Sequence, residues 1–250
     1  IRRPPRSTPS NSSAASDVYK RQVIYLSKVF IFHIYERTVL IFYPTRPYQD
    51  VRKMVQLKVL SKKFYERSPE RVARGLLGKI LMRRLGEEAL SGIIVETEAY
   101  YGPDDPASRA SHGIKDYNKL MWQEPGVAFI YNVHKYWMFN IVAHKPGGAG
   151  AVLIRAVEPI EGIAVMKRNR GITDDGRLIE LTNGPGKLTV AFGIDKTLNG
   201  VCLTSKRSPI HIVDNQIQVK VSSSKRIGVR ADLDRDLRFY IEGNRFVSKA

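Results

Sequence analysis

Apolar residues along this chain fall in short runs cut by Gly, Pro and Asn, and the pattern switches between alternation and helical spacing. Ser68-Pro69-Glu70 predicts a helix start: Ser as N-cap, Pro in the first turn, Glu favoured by the helix dipole. That helix runs to about Leu77, points Val72, Leu76 and Leu77 inward, and ends at Gly78. "KILMRRL" and "LSGIIVETEAY" flank "GEE" and predict a hairpin. "GVAFIYNVHKYWMFNIVAH" and "GAVLIRAVEP" are strand-like, dense in β-branched residues and, in the first, aromatics. Pro159 to Arg170 predicts a helix closed by Gly171. "NGPGKL" predicts a tight turn into a short helix, and "PIHIVD" and "DLRFYIEG" late strands. The order of elements is irregular and hairpins dominate, so the predicted class is α+β, as one compact domain from Met54 onward.

The first 53 residues stand apart. Residues 1–22 are rich in Ser, Pro and Arg, without periodicity, the composition of a disordered basic arm. They also closely resemble translated sequencing-adapter sequence, which would exclude them from fold reasoning. Residues 23–53 form an uncertain extension. Its apolar part, 23–45, is interrupted by Lys28, His33, Glu36 and Arg37, short of the ~20 apolar residues a membrane span needs. A further strand or helix, or translated upstream sequence, are the alternatives, and Met54 is a plausible start.

Charge narrows the partner. The chain of 250 residues carries a formal net charge of +17. Residues 54–250 alone hold 31 basic and 21 acidic side chains, or +10. Such an excess points to a polyanion, with nucleic acid first; no membrane is expected for want of a span, and association through residues 23–45 is the weakest reading. The plain alternative is a solubilising surface. The single cysteine, Cys202, excludes an internal disulfide framework and a cysteine metal cluster.

Two segments hold candidate chemistry. In "VETEAYYGPDDPASRASHG", Glu96 and Glu98 lie two apart, which on a strand puts them on one face with Ile94. The pair is either a solvent-facing pattern or contains a general base at the end of a strand. In "FIYNVHKYW", His and Asn alternate with aromatics, which suits a core stripe or a surface that stacks on bases. His112, His134, His144 and His211 lack zinc-ligand spacing, so no metal is expected. "GPGK" is too short for a phosphate loop and reads as a turn.

"VETEAYYGPDDPAS", "FIYNVHKYWMFN", "AVLIRAVEP", "NGPGKL" and "RIGV…LRFYIEGNRFVS" occur in this order. Together, over roughly residues 60–249, they resemble the alkyladenine (3-methyladenine) DNA glycosylase family, the type without a helix-hairpin-helix. The resemblance implies a mixed, mostly antiparallel curved sheet with flanking helices and a protruding aromatic hairpin. It implies an enzyme that flips damaged purines from double-stranded DNA and hydrolyses their glycosidic bond. It assigns Glu98 as the base and Arg155 as the residue that orients water, with Glu96 in support. Tyr100 and Tyr131 become the walls of a base slot, and Asn140 lines it. Arg109 stands where many members have His, so either Arg109 or His112, three residues on, closes the slot. His134 matches the intercalating wedge, often Tyr, in a hairpin one residue shorter. No lysine matches a Schiff-base position, so no lyase activity and no cofactor are implied. A monomer is the default for a small domain that must embrace duplex DNA, and the single cysteine fits a reducing cytoplasm, with the nucleoid as the expected location. A non-catalytic binder of distorted DNA or RNA is the competing reading.

Overall fold

The computed structural model of the chain describes residues 29–34, 37–42 and 57–248. The chain divides into two compact units, 1–54 and 55–250. In the first, strands β1 (Val29–Ile34) and β2 (Arg37–Phe42) pair as an antiparallel hairpin. The expectations for residues 1–22 and for Met54 as a start lie outside the described residues. Among the described residues no helix is long and apolar enough to cross a membrane.

In the second unit, nine strands form one sheet. They are β3 (Lys58–Val59), β4 (Ile80–Leu85), β5 (Glu88–Tyr100), β6 (Ala128–Val133), β7 (Tyr136–Val142), β8 (Ala151–Glu161), β9 (Ile210–Asp214), β10 (Val221–Ser224) and β11 (Arg238–Ile241). The main order is β3-β9-β4-β5-β8-β7-β6, and β11 pairs with both β10 and the C-terminal half of β5. Every described pairing is antiparallel, so the mixed sheet expected from sequence is antiparallel throughout. The hairpin around "GEE" forms as β4 and β5, turning at Gly86-Glu87. The strand-like "GVAFIYNVHKYWMFNIVAH" is two strands, β6 and β7, because His134-Lys135 makes a tight turn within it.

Helices cover one face of the sheet. After α1 (Lys62–Tyr65), α2 (Pro69–Leu76) begins where Ser68 accepts a hydrogen bond from the Arg71 amide, and buries Val72, Ala73 and Leu76. Gly78, at φ +82°, turns the chain out of the helix region into β4. α3 (Ile163–Arg170) starts later than its sequence predicts, because β8 continues through Pro159 to Glu161 before Gly162 breaks it. α4 (Pro185–Ala191) lies against β7, where Thr189 Oγ1 donates to the Trp137 carbonyl at 2.9 Å. Thr97 Oγ1 donates to the Ala73 carbonyl at 3.0 Å, fixing which face of β5 meets α2. The main core fills this layer, with Ile94, Ala99, Phe139, Ile154 and Phe239 among its buried members.

The opposite face is covered by the loop segment 101–127 and by residues after β10. A smaller core of Ala110, Met121, Phe129, Val142 and Ala151 holds the segment down. Its anchor is ionic. The buried Arg226 guanidinium donates twice to Asp105, at 2.7 Å each, pairs with Asp232, and donates to the Ala99 carbonyl at 2.9 Å. Asp105 also accepts from the Tyr101 and Ala107 amides at 2.9 and 3.0 Å. A bidentate pair fixes orientation as well as distance, so this clamp sets where the loop leaves β5.

Burial opposes the Asp105 charge, but the bonds from Arg226 and the two amides outweigh it and hold its carboxyl below the ordinary 3.8. A depressed carboxyl adds stability that is complete above its unfolded pKa and is lost as pH falls through the folded one. Asp105→Asn should therefore cost about 3–5 kcal/mol near neutral pH, since it strands a buried arginine. Denaturant midpoints should show the gap from wild type closing below about pH 4. A gap that persists unchanged at pH 3 contradicts this account of the clamp.

Candidate active site

Two compensating bulges build the site. The β5–β8 register runs Ile94↔Val157, Glu96↔Ala156, Thr97↔Ile154, so Val95 is extra on one strand and Arg155 on the other. A bulge re-aims side chains beside it. Skipping Val95 leaves Ile94 in the main core with Ala99, while Glu96 and Glu98 turn to the opposite face. Strict alternation predicted Ile94 on the glutamate face; the bulge reverses that. Skipping Arg155 places its guanidinium between the two carboxylates.

Glu96 and Glu98 are both fully buried, yet differently held. Glu96 Oε1 accepts from Arg155 Nε at 2.9 Å, Arg238 Nε at 2.7 Å and Ser248 Oγ at 2.8 Å. Its Oε2 accepts from the Ser248 amide at 2.7 Å. Glu96 thus takes four donors, two of them guanidinium groups, crowded as three on Oε1 and one on Oε2. Arg238 is fixed in turn by Ser224 Oγ and the Ser248 carbonyl, both at 3.0 Å. Glu98 has three partners: the Tyr100 hydroxyl at 2.8 Å on Oε2, and the Ile227 amide at 2.8 Å and Arg155 Nη1 at 3.2 Å on Oε1. Its Oε2 has one acceptor position beyond the Tyr100 hydroxyl, and it meets one arginine where Glu96 meets two.

The charges balance as two carboxylates against two arginines. Burial disfavours the Arg155 charge, but Glu98 and Glu96 more than restore it and raise its pKa. Burial first, and then the Glu98 charge, push the Tyr100 hydroxyl well above its ordinary value. Tyr100 therefore stays protonated and acts as a donor to Glu98.

Cross-strand register gathers most of the remaining candidates. Phe129, Asn140, Leu153, Glu98 and Arg238 are successive partners across β6, β7, β8, β5 and β11, so they share one face. Tyr100 and Tyr131 lie two residues beyond Glu98 and Phe129 on that same face. Tyr100 is backed by Arg226, whose guanidinium is 4.6 Å from the ring centroid. Tyr131 packs on Phe129 at 5.1 Å and carries Arg109 at 4.6 Å from its centroid. Asn140 is buried, and its amide nitrogen donates to the Phe129 and Met138 carbonyls, both at 3.1 Å. Of the two residues proposed to close the slot, Arg109 reaches Tyr131; among the described contacts none joins His112, which is exposed, to the cluster. His134 sits apart, exposed at the β6–β7 tip with φ +52°. Among the described residues no group of His, Cys, Asp and Glu could hold a metal ion. A cleft of about 580 Å³ beside Tyr101, Trp122 and Arg235 does not include Glu98.

Sequence reasoning missed Arg226, Arg238, Ser248 and the Ile227 amide. Their segments lie far along the chain, and a buried arginine leaves no periodic signal. The one available hint was the run of charges after "RIGV", where Arg226 and Asp232 are six apart.

Comparison with known proteins identifies the family. A family model described as methylpurine-DNA glycosylase (MPG) matches residues 63–245. A protein of Aeropyrum pernix named "Putative 3-methyladenine DNA glycosylase" is 41% identical over 196 residues, 77% of this chain and 94% of the relative. Proteins of the same name from Mesorhizobium japonicum and Clostridium novyi are 42% identical over 179 residues and 40% over 203. Those alignments cover 71% and 77% of this chain, and 84% and 100% of the relatives. The chain belongs to the methylpurine-DNA glycosylase family.

Proposed function

We propose that this DNA glycosylase removes alkylated or deaminated purines from duplex DNA by hydrolysis, with Glu98 as general base. The observation that carries the reading is the difference between two neighbouring carboxylates: Glu96 is held by four donors from Arg155, Arg238 and Ser248, whereas Glu98 is held by three, pairs with Arg155 alone and lies beside Tyr100.

The steps follow from the residues. A damaged nucleotide leaves the duplex and its base enters between Tyr100 and Tyr131, where stacking holds any purine face. Asn140 lines the slot floor. A water held by Glu98 and oriented by Arg155 loses its proton to Glu98 as its oxygen bonds C1′. The Glu98 charge also offsets the oxocarbenium character that develops at the sugar. The C1′–N9 bond breaks, the electron pair goes to the base, and an intact abasic site remains. His134 fills the gap left in the stack. Its left-handed φ is uncommon for a residue with a Cβ, and local strain of this kind collects at ligand-contacting tips. The basic surface supplies the phosphate attraction, so binding weakens with salt.

The test uses duplexes with one hypoxanthine, ethenoadenine or 3-methyladenine, scored as alkali-labile sites. The chain should release at least one of these bases. Glu98→Gln should slow release by roughly 10²–10⁴-fold while lesion binding persists. Tight, salt-sensitive binding without release from any lesion would favour the non-catalytic binder instead. His134→Gly should raise the stability of the free protein by up to about 1 kcal/mol by relieving the φ strain, and weaken binding to lesion duplexes. Unchanged lesion affinity in that variant removes His134 from the interface.

A further inference from the structure

We propose that Arg109 sorts damaged purines by charge, favouring release of neutral bases, such as deaminated purines, over bases with a fixed positive charge. The inference rests on the reading of Tyr100 and Tyr131 as the walls of the base slot.

Arg109 is the unmatched cation of the site. Arg155 is paired with Glu96 and Glu98, Arg226 with Asp105 and Asp232, and Arg238 with Glu96. Among the described residues no carboxylate pairs with Arg109, which is exposed and lies 4.6 Å from the Tyr131 centroid. An arginine brings a planar cation with a fork of N–H donors. It stands on the ring that a bound base must share. A cationic N-alkylpurine entering the slot meets this like charge at close range, and its own attraction to Tyr131 competes with a cation already there.

A neutral base has the opposite relation to Arg109. Water attacks C1′, Glu98 takes the proton, and the C1′–N9 bond breaks with its electron pair on the base. A neutral purine thus leaves as an anion, which later takes a proton from solvent. The five guanidinium N–H donors meet that charge as it forms, an interaction stronger in the transition state than in the ground state. A cationic base leaves as a neutral molecule and gives Arg109 no such charge to meet.

The experiment measures single-turnover base release by the full chain from duplexes carrying one hypoxanthine or one 7-methylguanine. Arg109→Gln should slow hypoxanthine release on the order of tenfold or more and speed 7-methylguanine release at sub-saturating enzyme, moving the two substrates in opposite directions. Arg109→Lys, which keeps the charge, should hold the wild-type order of preference. Parallel losses on both substrates, or no change on either, overturn the inference and leave the glycosylase reading intact. Release of neither base by the wild-type chain overturns the inference, and the glycosylase reading falls with it only when ethenoadenine and 3-methyladenine are retained as well.

Discussion

The buried ion cluster of Glu96 with Arg155 and Arg238 is the constraint on which the site depends. A carboxylate without exposure is stable only when paired and fully bonded, and breaking such a pair costs several kcal/mol. Here one carboxylate ties together β5, β8, β11 and the C-terminal Ser248. The strands meet at this point because the arginines have nowhere else to place their charge. Glu98, two residues along, inherits a fixed position from that lock without being consumed by it. The same cluster keeps Arg155 charged and aimed, since the guanidinium spans both carboxylates.

A second ionic lock holds Tyr100. Arg226 holds Asp105 and stacks behind Tyr100, so one side chain sets both the ring and the origin of the loop that carries Arg109. Its neighbour Ile227 places an amide on Glu98. The slot proposed between Tyr100 and Tyr131 is thus framed by buried charge pairs on a sheet, while Arg109 and His134 stand exposed on the loop and the hairpin tip. This division suits a site that must hold a reacting carboxylate still while admitting a large substrate.

Much of this was legible in the sequence. Alternating runs gave the β4–β5 hairpin, and Ser68-Pro69 gave the start of α2, because local backbone preferences act within a few residues. The order of motifs carried Glu98, Arg155, Tyr100, Tyr131 and Asn140, and the sheet register puts them on one face or, for Arg155, at its bulge. What was not legible came from long-range geometry. Strict alternation put Ile94 on the wrong face, since a bulge at Val95 depends on the partner strand. The helix expected from Pro159 begins at Ile163, because pairing with β5 keeps the preceding residues extended. Arg226 and Ser248 act across more than a hundred residues, beyond any local pattern.

The central claim is that Glu96 holds the site and Glu98 reacts. The most direct measurement is the unfolding free energy of Glu96→Gln and of Glu98→Gln, in parallel by denaturant titration. Glu96→Gln leaves Arg155 and Arg238 with a single carboxylate that only Arg155 reaches, whereas Glu98→Gln leaves both arginines bonded to Glu96. The account predicts that Glu96→Gln loses more stability, by about 2 kcal/mol or more. Equal losses, or a larger loss for Glu98→Gln, would contradict it.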